Sequence, residues 1–126
     1  MRLVFTVALC LTLGACGTGR LLSYGGQTSD ATVRLGPATF RVYVHPQDDT
    51  LLVQRALSQT TTNDSANLIG IVSDQFLAPV DCRREAPSLI SAGSWEVPFT
   101  CPREVNLRAL VAEQRDALKD GAPIQP

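Results

Sequence analysis

The sequence has few of the side chains that carry out chemistry. Its 126 residues include one histidine, one tryptophan, one methionine and four cysteines, and aromatic residues make up 6% of the chain. It contains no G-x-S-x-G nucleophile elbow and no glycine-rich phosphate loop that leads into a helix. Three convergent metal ligands are not visible either. These absences predict a protein that is not an enzyme and that needs no cofactor.

Clustered positive charge and long apolar runs are also missing. Eleven basic residues stand against twelve acidic ones, which gives a formal net charge of −1. Nucleic-acid binding needs concentrated positive charge, so we expect no nucleic-acid partner. The apolar run from Leu3 to Leu13 is shorter than the ~20 residues that a transmembrane helix requires. We therefore do not expect a permanent transmembrane helix.

The N-terminus has the features of a secretion signal. Arg2 precedes the apolar run, which ends in Leu13-Gly14-Ala15-Cys16. This ending resembles the lipobox of bacterial lipoproteins, in which an aliphatic residue and two small residues precede a cysteine that receives diacylglycerol. The resemblance covers residues 1–16 only. The alternatives are an ordinary secretory signal and a cytosolic protein with an apolar first strand.

The lipoprotein resemblance implies a processing route and a location. Residues 1–15 would be removed as a signal peptide, and Cys16 would carry two or three acyl chains, palmitate among them. Two or three chains hold a protein on a membrane almost permanently. The chain would then be anchored on the periplasmic side of the cell envelope. Gly17, in place of an aspartate, favours the outer membrane over the inner membrane.

The mature chain divides into a tether and one domain. Residues 16–30 are rich in glycine, serine and threonine, which predicts a lipidated flexible tether. As an alternative, Leu21, Leu22 and Tyr24 could dip into the membrane interface. Residues 31–126 are expected to form a single small domain, because a chain of this length buries one modest core.

Alternating apolar and polar residues predict an antiparallel sheet. Thr39–His45 and Thr50–Leu57 form a hairpin across a four-residue connection, and Thr32–Leu35 is a further short strand. Ser94–Thr100 alternates as well, but Pro98 lacks an N–H group. This predicts an edge strand, or at least an unpaired position at Pro98. We expect an α+β domain with three to four antiparallel strands, one or two packed helices and one disulfide.

Two segments are helix candidates. The four-residue apolar spacing in residues 66–77 favours a helix, whereas Gly70 and several β-branched residues leave a buried strand as the alternative. Near the C-terminus, Cys101 is the predicted N-cap and Pro102 the first helical residue. Gly121 is suited to end that helix in the left-handed conformation.

The cysteine count predicts one structural disulfide. Cys10 leaves with the signal peptide and Cys16 is acylated, so Cys82 and Cys101 remain as the only possible pair in an oxidising compartment. A redox pair or a thiolate metal site has no support, because the spacing is far from C-x-x-C and no histidine lies near either cysteine.

The remaining candidate for chemistry is the segment His45-Pro46-Gln47-Asp48-Asp49. A histidine followed by two aspartates across a turn can form a shallow metal site or a general base. Such a histidine is more often a surface residue beside a turn that the aspartates stabilise. We therefore predict a non-enzymatic accessory or interaction subunit of the envelope, with an envelope protein as partner. The alternative is a small ligand-binding, metal-binding or hydrolytic periplasmic domain that uses His45, Asp48 and Asp49.

Overall fold

A curled antiparallel sheet with helices packed against one face forms the domain. The computed structural model describes residues 19–25, 28–56 and 64–126. Within these ranges the sheet has six strands in the order β1-β2-β3-β6-β4, and β5 also pairs with β6. The strands are β1 (Ala31–Leu35), β2 (Ala38–Val44), β3 (Thr50–Arg55), β4 (Arg83–Arg84), β5 (Ser88–Ser91) and β6 (Ser94–Thr100). The α-helices described after residue 28 are α1 (Ala66–Leu77), α2 (Leu107–Glu113) and α3 (Arg115–Lys119), and Ala78–Val80 form a short 3-10 helix directly after α1.

The central hairpin forms as its alternation predicts. In β2, Phe40, Val42 and Val44 point to the buried face. β3 pairs with β2 so that Val42 lies opposite Val53, which places the apolar residues of both strands on the same side. The predicted end of β3 at Leu57 lies outside the described residues. The α+β class is confirmed, but the predicted three to four strands are too few, because β4 and β5 were not expected.

The structure shows a helix at residues 66–77, where a buried strand was the alternative. α1 spans Ala66–Leu77, and the side chain of its N-cap residue Ser65 accepts a hydrogen bond from the Leu68 N–H. The apolar face of α1 packs on the sheet, and the C-terminal helices and tail complete the core. Fully or almost fully buried core residues include Phe40, Val42, Leu51, Val53, Ile69, Val72, Leu77, Val97, Leu118 and Ile124.

β6 is an interior strand, so the edge-strand prediction from Pro98 is wrong. β6 pairs with β3 on one side and with β4 and β5 on the other. The Pro98 carbonyl accepts the Glu85 N–H at 2.8 Å, so the missing N–H of Pro98 faces the break between β4 and β5. The other prediction made for Pro98, that its nitrogen takes an unpaired position within the sheet, agrees with this arrangement.

The C-terminal helix begins later than predicted. Cys101 is not its N-cap, because Pro102–Val105 form a turn closed by the Val105 N–H. Asn106 is the N-cap, and its side chain accepts a hydrogen bond from the Ala109 N–H at 3.1 Å. Asn is a much stronger cap than a cysteine whose sulfur is in a disulfide.

One predicted C-terminal helix is two helices in the structure. The break between α2 and α3 falls at Gln114, whose side-chain amide holds the backbone N–H and carbonyl of Gln125, both at 2.7 Å. Gly121 has φ of +93° and ends α3 in the left-handed conformation, as predicted.

The predicted disulfide joins Cys82 and Cys101, whose Cα atoms are 4.2 Å apart. It connects the loop after the α1 region to the residue that follows β6. Closing a loop of this size contributes about 3 kcal/mol to stability in the chain-entropy model. Cys82 is buried, which fits a structural bond.

Candidate functional site

Residues 19–25 are folded onto the sheet. Residues 19–22 are helical, and the N–H groups of Ser23, Tyr24 and Gly25 bond back to carbonyls of this turn. Gly25 has φ of +90° and ends the turn in a conformation that glycine tolerates best. Residues 19–25, called here the N-terminal turn, lie within the predicted flexible tether; residues 16–18 and 26–27 of that tether lie outside the described residues.

Arg20 fixes the N-terminal turn to the sheet. Its Nε and Nη2 donate to the two carboxylate oxygens of Glu96 at 2.6 and 2.7 Å. Nη1 donates to Asp48 at 2.8 Å, and Nη2 also reaches the Thr50 hydroxyl at 3.1 Å. A planar guanidinium matches a carboxylate in this two-pronged way, whereas an ammonium group cannot.

The charges around Arg20 reinforce one another. Hydrogen bonds to Glu96 and then to Asp48 raise the pKa of Arg20. The bond from Arg20 holds the pKa of Asp48 below its ordinary value. Glu96 lies on β6 and Asp48 in the turn between β2 and β3, so one side chain ties the N-terminal turn to two separate parts of the sheet.

Tyr24 is the buried contact of the N-terminal turn. Its side chain is 8% exposed, and its hydroxyl lies 2.8 Å from the Thr50 hydroxyl. Burial raises the pKa of Tyr24 to about 12. The Arg20 guanidinium carbon lies 5.6 Å from the ring centroid, within the range of a cation–π interaction. We call Arg20, Tyr24, Asp48, Thr50 and Glu96 the clasp.

His45 is buried beside the clasp, although a surface position was expected. It is 4% exposed and makes an edge contact with the Tyr24 ring. Its Nδ1 accepts the backbone N–H groups of Gln47 and Asp48 at 3.0 and 2.8 Å. Its Nε2 therefore carries the hydrogen and donates to Ser23 Oγ at 3.1 Å. The ring thus closes the β2–β3 turn and supports the N-terminal turn.

The three residues proposed for metal binding or hydrolysis do not converge. Asp48 Oδ2 is 3.9 Å from His45 Nε2 and is bound to Arg20. Asp49 points elsewhere, to Arg108 at 3.2 Å. In residues 19–25, 28–56 and 64–126, no group of three His, Cys, Asp or Glu side chains could hold a metal ion. As arranged, both carboxylates neutralise arginines and hold the turn.

A groove of about 380 Å³ runs beside the clasp between β2 and α2. Its charged walls are Asp30, Arg108 and Arg115. Asp30 accepts the Val44 N–H at 2.8 Å and lies 3.7 Å from Arg115, while Arg108 is bound to Asp49. Each of these three charged side chains already has a partner of opposite charge within the protein, so none of them is an unpaired charge that would attract a ligand.

Comparison with protein families, curated proteins and solved structures finds no match. Function therefore has to be inferred from the residues of this chain. No helix within the part of the chain that the structure describes is long and apolar enough to cross a membrane.

Cys16, the predicted lipidation site, lies outside the described residues. The sequence analysis did not predict the contacts of the clasp. One signal for the clasp was present: Arg20 is the only charged residue between Cys16 and Asp30. A lone arginine in a segment of glycine, serine and threonine is unusual for a free linker. Its partner Glu96 is 76 positions away in sequence, so the pairing itself left no local pattern.

Proposed function

We propose that the chain is a lipid-anchored accessory protein of the bacterial envelope, with acyl chains on Cys16 and without enzymatic activity. The lipobox-like residues before Cys16 support the anchor. The observation that carries the proposal is this sequence pattern; the clasp adds to it, because Arg20 holds the N-terminal turn on the sheet only a few residues after that cysteine. The domain would face the periplasm, and Gly17 favours the outer membrane.

The clasp shortens the connection between lipid and domain. Three peptide steps separate Cys16 from Gly19, where the described helical residues begin. Three steps span at most about 11 Å. With a free linker over residues 16–30, the average distance would be about 20 Å, and full extension would reach about 50 Å. The fold thus favours a domain held close to the membrane surface.

An envelope protein is the partner class that this arrangement suits. A domain held near the bilayer meets other membrane-associated proteins in a restricted layer, which raises the effective concentration of each for the other. β5 supports such a contact: among the described residues it pairs only with β6, and its Leu89 is 58% exposed. An added strand from a partner could pair at an edge of this kind.

Intact-mass analysis of the protein from a bacterial membrane fraction tests the anchor. We expect a chain that begins at Cys16 and carries the added mass of diacylglycerol, with or without a third acyl chain. The Cys16→Ser variant should lose the lipid, while the matched Cys10→Ser variant should be processed like the wild type. An unmodified or full-length wild-type chain would refute the anchor.

The partner is tested by crosslinking in intact cells, followed by purification in detergent. We expect one defined envelope protein to be captured by the wild type and not by Cys16→Ser. Purification of a monomer with a stoichiometric metal ion would instead support the alternative site at His45, Asp48 and Asp49.

A further inference from the structure

We propose that the side chain of Leu22 inserts into the lipid interface next to the anchor, so that the N-terminal turn faces the bilayer. This inference rests on the proposed lipidation of Cys16. It concerns the orientation of the domain, which a lipid anchor by itself does not determine.

Leu22 lies on the side of the N-terminal turn that faces away from the sheet. With about 3.6 residues per turn, Arg20 and Tyr24 fall on the same side of the turn and Leu22 on the opposite side. Arg20 and Tyr24 both contact the sheet, and Leu22 is 66% exposed. It is the most exposed large apolar side chain in the described ranges, ahead of Leu89 at 58% and Ile71 at 44%.

The other two residues considered for the interface are less available. Tyr24 is buried in the clasp, and Leu21 is half-buried. Of the three residues that the sequence suggested for contact with the membrane interface, only Leu22 is well exposed. Because Arg20 and Tyr24 hold the turn on both sides of Leu22, the leucine is presented in a fixed direction.

Covalent reach makes lipid the expected occupant. The path from Cys16 to Gly19 spans at most about 11 Å, and the helical rise from Gly19 to Leu22 adds about 5 Å. The interfacial layer of each leaflet is itself about 5–7 Å thick. A leucine confined within about 16 Å of a lipidated residue can reach the interface without any diffusion of the protein, whereas a protein partner must first diffuse to it.

A fluorescent label at position 22 tests the contact. In the mature lipidated chain, Cys16 would be acylated and Cys82 and Cys101 are bonded, so a Leu22→Cys variant offers a single free thiol for a nitrobenzoxadiazole label. Leu89→Cys is the matched control, since Leu89 has a similar exposure but lies on β5. Both proteins are reconstituted into vesicles of phosphatidylethanolamine and phosphatidylglycerol, with and without nitroxide-labelled lipid.

We expect nitroxide lipid to remove roughly half or more of the emission at position 22, because an interfacial label touches lipid, and to leave position 89 nearly unchanged. If both proteins float with the vesicles and neither label is quenched, the inference is overturned while the anchor stands. A label at position 22 that is shielded from water but not quenched by lipid indicates a protein contact and also overturns it. Protein that carries no lipid by mass and does not float refutes both proposals.

Discussion

At the scale of single residues, Arg20 holds the N-terminal turn because each of its guanidinium nitrogens has a hydrogen-bond partner on the sheet or in the β2–β3 turn. Arg20 uses Nε, Nη1 and Nη2 for Glu96, Asp48 and Thr50. Charge-assisted hydrogen bonds of this kind contribute about 1.5–3 kcal/mol each where they are shielded from water, and less at the exposed Asp48. This set of bonds offsets part of the backbone entropy that is lost when the seven residues of the N-terminal turn are ordered, and the buried Tyr24 ring adds to it.

His45 offers a direct test between a structural and a chemical role. Replacing it by Ala removes the acceptor for two backbone N–H groups, and we expect a loss of about 1–3 kcal/mol in unfolding free energy. His45→Asn should recover part of that loss, because the Asn side-chain oxygen can accept from N–H groups of a following turn. Urea unfolding of the three proteins measures both effects.

Metal titration of the same His45 variants provides the control. We expect no difference in zinc binding between wild type and His45→Ala, because Nδ1 is occupied by the turn and Nε2 faces Ser23. Stoichiometric zinc binding that His45→Ala abolishes, together with unchanged stability, would show that the chemical role is correct.

Tyr24 predicts a loss of stability in alkali. Burial raises its pKa to about 12, whereas an unfolded chain releases the same proton near pH 10. Between these values the folded state binds more protons than the unfolded state, so stability falls as pH rises. The contribution is fully present below about pH 10 and is lost through about pH 12.

The Tyr24→Phe variant tests this expectation, because it keeps the buried ring and removes the hydroxyl that titrates. In urea unfolding between about pH 9 and pH 12, Tyr24→Phe should show a shallower decline than the wild type, because it lacks the titrating group. Identical slopes for the wild type and Tyr24→Phe would contradict a buried, clasped Tyr24.

At the scale of elements, the Arg84 side chain over Gly70 offsets the usual preference of a helix for alanine over glycine. Arg84 crosses α1 over this glycine and donates to Asp74 at 2.9 Å. A Cβ atom at position 70 would lie 2.6 Å from the Arg84 guanidinium carbon, so Arg84 would have to move. Alanine gains about 1 kcal/mol over glycine in a helix, while the exposed pair contributes about 0.2–1 kcal/mol.

Gly70→Ala should therefore be close to neutral in the wild type. In an Arg84→Ala background the same change should stabilise the protein by about 1 kcal/mol, because nothing then opposes the helix preference. Urea unfolding of the four proteins in this cycle gives the coupling. An equal effect of Gly70→Ala in both backgrounds would show that Arg84 does not pack over α1.

Elements with a long, regular pattern could be predicted from the sequence, and short ones could not. The spacing of apolar residues in α1 and the alternation in β2 and β6 carry over to the structure with little change. β4 has two residues and β5 four, which is too short for a period to show. The break at Gln114 depends on Gln125, a partner beyond the reach of any helix pattern.

At the scale of the whole molecule, the features that could not be predicted from the sequence, such as the burial of His45, depend on contacts between residues that are far apart in the chain. The predicted turn after His45 is present, but burial of the histidine requires the N-terminal turn to cover it. That cover depends in turn on Glu96, far along the chain. The glycine, serine and threonine content of residues 16–30 is typical of a flexible segment, and the lone Arg20 gave a signal without indicating its partner.

The N-terminal turn and the C-terminal tail both join one sheet. The N-terminal turn is clasped to Glu96 on β6, and the C-terminal tail buries Ile124 after α3. The disulfide fixes the residue that follows β6 to the loop after α1. A force applied at Gly19 would therefore reach the domain through the clasp.

If Cys16 carries lipid as proposed, neutron reflectometry of the protein on a supported bilayer tests the clasp most directly, since it measures the water layer between headgroups and protein. We expect protein density to begin at the headgroups in the wild type. In a chain carrying both Arg20→Ala and Tyr24→Ala, we expect a water-rich gap of about 20 Å, the span of a free 16–30 linker. A gap of that size under the wild-type domain would contradict the clasp.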